Sequence, residues 1–82
     1  MTINNYIPTL TPWGYPQTTE VLAPGIILFT TTGHGGIWLS AERNDQIPMP
    51  LKRATYCQHG IWGWYKEGLD AAVVYRVFDL GG

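Results

Sequence analysis

Charge is scarce in this sequence, and so is cysteine. Five Lys/Arg and six Asp/Glu in 82 residues leave a formal net charge of −1. Nucleic-acid binding without sequence preference rests on several cations neutralising phosphates, and the basic residues here are too few and too scattered. A nucleic-acid mimic needs a dense array of carboxylates, which six dispersed acids do not form. No direct nucleic-acid partner is therefore expected. The single cysteine, Cys57, rules out an internal disulfide. No apolar run approaches the roughly 20 residues of a membrane-spanning helix, so no membrane partner is expected either. Met1 to Asn5 carry neither the cationic nor the apolar stretch of a secretory signal. With an unpaired thiol, that makes the cytoplasm the expected location. Metal-ligating types are few, limited to His34, His59, Cys57 and the six carboxylates, and neither a metal nor a cofactor is expected.

What the chain has in quantity is aromatic rings, glycine and proline. Residues 1–82 make one domain, and a chain of this length buries only about 60–65% of the surface its unfolded form exposes. Self-association into a homo-oligomer and dense aromatic packing are the remaining routes to extra stability. Four Trp and five Tyr, each able to bury roughly 150–250 Å², exceed what so small a core encloses. Some are expected to face a partner, where Trp and Tyr are favoured.

Pro8, Pro12 and Pro16 exclude a helix in residues 1–17, which read as an extended arm whose aromatics pack back on the domain. Thr18 to Leu22 is a short strand, and Pro24-Gly25 suits a type II turn. Ile26 to Thr32 is a second strand by its β-branched and aromatic content. Gly33-His34-Gly35-Gly36 reads as a turn using the conformational freedom of glycine, and Ile37-Trp38-Leu39 as a third strand. Ser40 is an N-cap for a helix of at most two turns, Ala41 to Gln46, closed by Pro48. Leu51 to Gln58 is a second short helix, ended by Gly60. Trp62 to Gly68 reads as irregular. Leu69 to Leu80 combines strand-forming residues with helical spacing of Leu69, Val73, Val77 and Leu80, and is assigned to helix. The expectation is an α+β domain, a small three-stranded antiparallel sheet covered on one face by two short helices and a C-terminal helix.

Four motifs in order carry a resemblance: Thr11-Pro12-Trp13-Gly14, Gly33-His34-Gly35-Gly36-Ile37, Leu39-Ser40-Ala41-Glu42-Arg43-Asn44, and Gly63-Trp64-Tyr65 with an acid behind. Over residues 11–80 the chain resembles an uncharacterised family of short domains encoded in bacterial plasmids, phages and other mobile elements. In that family two adjacent acids usually follow Gly-Trp-Tyr, whereas Lys66 takes one of those places here, which weakens a shared metal site. The resemblance implies a mobile-element origin and, by that setting, a counter-defence role.

Each candidate site has a plainer reading. His34 is either a base or ligand on an exposed turn, or a ring that locks the hairpin by hydrogen bonding; no second ligand sits at metal spacing. Cys57-Gln58-His59 supplies one ligand pair where a structural zinc site takes two, and Cys57 reads as a packed thiol. For a Cys57–His34 nucleophile pair the sequence predicts neither an oxyanion hole nor a lowered thiol pKa. The glycine turn, with Ser40, Arg43 and Asn44, suggests a phosphate cradle but matches no phosphate-binding fingerprint. Glu42, Arg43 and Asn44 either face a partner or serve the fold, with Arg43 paired to Glu67 or Asp70. Of Trp62 and Trp64, one is expected inside and at least one partly exposed.

The expected function is that of a non-enzymatic phage or mobile-element interaction protein, an anti-CRISPR-like inhibitor that blocks a host defence protein. Its expected contacts are His34, Gly35, Arg43, Asn44, Trp64, Tyr65 and Glu67, with no catalytic residue. The alternative is an oligomeric binder that sequesters a nucleotide-type signalling molecule.

Overall fold

A computed structural model describes residues 7–48 and 63–80. The expected helix over Leu51 to Gln58, together with Cys57, His59 and Trp62, lies outside the described residues. Strands β1 (Thr18–Ala23), β2 (Ile26–Thr30) and β3 (Gly35–Leu39) form an antiparallel meander. Helix α1 (Ala41–Asn44) follows at once. Strand β4 (Gly63–Lys66) then pairs antiparallel with β3, giving the order β1-β2-β3-β4, and helix α2 (Leu69–Val77) closes the described chain.

The sheet thus has four strands, one more than expected, because Gly63-Trp64-Tyr65-Lys66 is a strand and not an irregular segment. Its local signal is weak, since glycine opens it. Its pairing partners, Gly36 to Leu39, lie at least two dozen residues earlier in the chain. β3 starts at Gly35, so Gly35 and Gly36, expected to turn the chain, are extended and paired with Thr30 and Phe29, and of those glycines Gly33 alone lies in the turn. None of Gly33, Gly35 and Gly36 has positive φ. The turn is Thr31 to His34. The Thr31 hydroxyl donates to the His34 carbonyl (2.9 Å) and accepts from the His34 amide (3.2 Å), while the two backbones add a 2.7 Å bond. β2 therefore stops at Thr30, two residues before the end of the β-branched run.

Both faces of the sheet are covered, where coverage of one was expected. On the helix face Ile26, Ile37, Leu39 and Tyr65 pack with Ile47 and with Val74 of α2. On the opposite face, the arm face, Ile27, Phe29 and Trp38 form a second cluster with Trp64. This explains why β2 is apolar at successive positions: neither side faces water. Trp13 caps that face, edge-on to Trp64 with centroids 5.7 Å apart. It is held there by a closed turn in which the Thr11 hydroxyl donates to the Gly14 carbonyl (2.7 Å) and accepts from the Trp13 amide (3.0 Å). Gly36 is needed for close approach: a Cβ there would run into the Trp13 ring and lie 2.6 Å from the Tyr65 carbonyl.

At Pro24-Gly25, Gly25 has φ +79, as position i+2 of a type II turn requires. Ser40 caps α1, its hydroxyl accepting from the Arg43 amide at 3.3 Å. The helix stops after four residues, two fewer than expected. α2 is a helix as expected, but ends at Val77. Leu80 donates to the Tyr75 carbonyl (3.0 Å) across Asp79, which has φ +56; this is the left-handed stop that usually falls to glycine. The buried stripe is centred on Val74, and Leu69, expected in the stripe, is 88% exposed.

Candidate interaction site

The seven expected contact residues fall at two opposite ends of the sheet and in the core between them. Gly35 opens β3 and Arg43 lies just past its other end. Five strand residues separate the two ends by about 14 Å.

At the α1 end, Arg43 is committed to the fold. Its Nε donates to the Pro24 carbonyl (2.9 Å), its guanidinium lies 5.3 Å from the centre of the Phe78 ring, and its stem packs over Gly25. Arg43 does tie α1 to the C-terminal element, but through a ring and not through Glu67 or Asp70. Asn44 is buried, and its side-chain oxygen accepts from the Tyr65 hydroxyl across the core. A Cβ on Gly63 would collide with that same Asn44 side chain, so Asn44, Gly63 and Tyr65 form one interlocked unit. Asn44 and Tyr65, expected as contacts, are buried. Trp64 is half-buried between Trp13 and Phe29, which fits one partly exposed indole.

The other end is different. The Thr31–His34 turn and the β4–α2 turn are joined by a bond from the Glu67 amide to the Gly35 carbonyl (2.9 Å). Thr32, Gly33 and His34 are exposed on the first turn and Glu67 and Gly68 on the second, with Leu69, the first residue of α2, exposed directly after them. The His34 backbone locks this turn with Thr31, and the residue itself is exposed. Leu69, the exposed apolar residue here, was missed in the sequence because its helical spacing suggested burial. Glycine before it, with φ +95, was the available signal that the chain swings outward there. Among the described residues, no group of three or more His, Cys, Asp or Glu could hold a metal ion, and none of the helices is long and apolar enough to cross a membrane.

Fold and site together define a small α+β domain with a sheet covered on both faces and an exposed pair of linked turns. The chain belongs to a family defined by a domain of unknown function, DUF7007, whose model matches residues 6–81. Comparison with curated proteins and with solved structures returns no match.

Proposed function

We propose that this domain is a binding protein of mobile-element origin that blocks a host defence protein, and that it does so with the linked turns carrying His34 and Glu67 and with Leu69 directly after them. The observation that carries the reading is Leu69: a large apolar side chain 88% exposed, opening α2 directly after the turn that the Glu67–Gly35 backbone bond ties to its neighbour. Surface leucines occur singly on many proteins. This one follows Glu67, whose backbone is bonded to Gly35 next to exposed His34, and an apolar anchor with polar neighbours is a mixture that interfaces use. The mobile-element origin is supported by the four-motif resemblance, and the counter-defence role by that origin.

A tagged copy expressed in a bacterial host that carries an active defence system tests the proposal. The expected result is a captured defence protein, restored phage plating, and loss of both in Leu69→Asp with an unchanged Tm. Capture and plating unaffected by Leu69→Asp would contradict the site. Nucleotide sequestration predicts instead a rise of several degrees in Tm with cyclic or ADP-ribose-type nucleotides and no captured protein.

A further inference from the structure

β1 ends the strand order, and no strand among the described residues pairs with its outer side. Which of its backbone groups face outward follows from the ladder behind it. The Ser40 amide donates to the Gly25 carbonyl (2.9 Å) and the Thr31 amide to the His34 carbonyl (2.7 Å). These bonds flank the Ile26–Leu39 and Thr30–Gly35 pairs. Ile27 and Phe29 therefore direct their amides and carbonyls to β3, while Leu28 and Thr30 turn theirs to β1. Thr18 and Glu20, opposite Thr30 and Leu28, bond to β2, and the amides and carbonyls of Thr19 and Val21 point away from the sheet. All four residues from Thr18 to Val21 are exposed, Val21 by 55%. Neither lysine nor proline, which commonly keep edge strands from pairing, occurs in β1.

We propose that the chain forms a two-fold symmetric dimer in which β1 pairs antiparallel with β1 of a second copy, joining the two four-stranded sheets into one. An antiparallel pair about a two-fold axis sets each donor against the matching acceptor, so this edge is its own complement. The axis passes through Thr19. There the two Thr19 residues exchange both backbone bonds, and Glu20 of each copy stands opposite Thr18 of the other. An axis through Glu20 would set like charges face to face, and one through Val21 would run into the bulge between Val21 and Ala23. The Thr19 axis also lays the exposed Val21 of each copy against Gln17 of the other, which covers part of its apolar surface. A formal net charge of −1 per chain opposes association little. The linked turns lie at strand ends, off this edge, so the dimer is independent of the partner-binding reading.

Sedimentation equilibrium of the isolated chain from micromolar to submillimolar concentration, with amide hydrogen exchange, tests this. The expected result is a monomer–dimer equilibrium and exchange at the Thr19 and Val21 amides that slows as concentration rises. Val21→Pro removes an amide hydrogen that β2 does not use, and Thr19→Lys sets two cations against each other on the axis. Each should weaken the dimer by roughly tenfold or more with an unchanged far-ultraviolet circular dichroism spectrum. Thr19→Lys keeps the test decisive where proline disturbs β1. A monomer at every concentration, a dimer that leaves the Thr19 and Val21 amides unprotected, or unaltered dimerisation in folded Thr19→Lys would overturn the proposal. A monomeric chain that loses capture of the defence protein in Val21→Pro would overturn it too, assigning the edge to a strand of the partner.

Discussion

Gly36 and Gly33 are three residues apart in one glycine-rich motif, yet they do opposite things. Gly36 lets an indole and a neighbouring carbonyl close on the sheet, whereas nothing stands within 4 Å of a Cβ built on Gly33. Gly36→Ala is therefore expected to cost about 1–3 kcal/mol through overpacking. Gly33→Ala, with φ outside the left-handed region, should be neutral or add about 0.4–1 kcal/mol by restricting the unfolded chain. Urea denaturation of the two variants checks this; equal effects would refute the assignment. Tyr65 gives a second residue-scale test. Tyr65→Phe removes the donor to Asn44 and leaves a buried amide oxygen short of a partner, at about 1–3 kcal/mol. Asn44→Ala should then cost little more in the Tyr65→Phe background, and full additivity in the double-mutant cycle would contradict the coupling.

Helix α2 ends on Asp79 in a conformation that costs a non-glycine residue about 1–2 kcal/mol. Asp79→Gly should raise the Tm by a few degrees, provided the Leu80–Tyr75 bond sets the stop; a lowered Tm would show that the aspartate side chain holds it. α1, α2 and the meander were legible in the sequence because their signals are local: a Ser cap for α1, helical spacing for α2, and a Pro-Gly turn in the meander. β4 was not, because Gly63 leaves Trp64 and Tyr65 as too short a strand-forming run to stand out and the pairing that makes them a strand is remote. The same limit explains the glycine motif. Composition suggested a turn, while the need for glycine at Gly36 comes from Trp13, which arrives from the arm. The motif Thr11-Pro12-Trp13-Gly14 was recognised as a pattern; only its closed turn reveals that it delivers this indole. Thr11→Val removes both hydroxyl bonds of that turn, leaving its two Thr11–Gly14 backbone bonds, and should weaken the near-ultraviolet circular dichroism of the Trp13–Trp64 pair with little loss of far-ultraviolet signal.

Across the whole molecule, the expected contact residues sort by position. Arg43, Asn44 and Tyr65 serve the fold, Trp64 packs against the arm, and His34 and Glu67 stand on the exposed linked turns, with Gly35 beneath. Sequence reasoning could name these residues as special without telling binding from packing, since both uses favour the same residue types. Leu69 shows the converse, an outward residue concealed in an apolar spacing. If the protein acts by presenting the linked turns, damage should be confined to that end. The most direct measurement is quantitative capture of the host partner by the wild-type chain, by Leu69→Asp, and by Glu42→Ala on exposed α1 at the far end. The account predicts that Leu69→Asp abolishes capture at unchanged Tm and that Glu42→Ala captures fully; full capture by Leu69→Asp would contradict it.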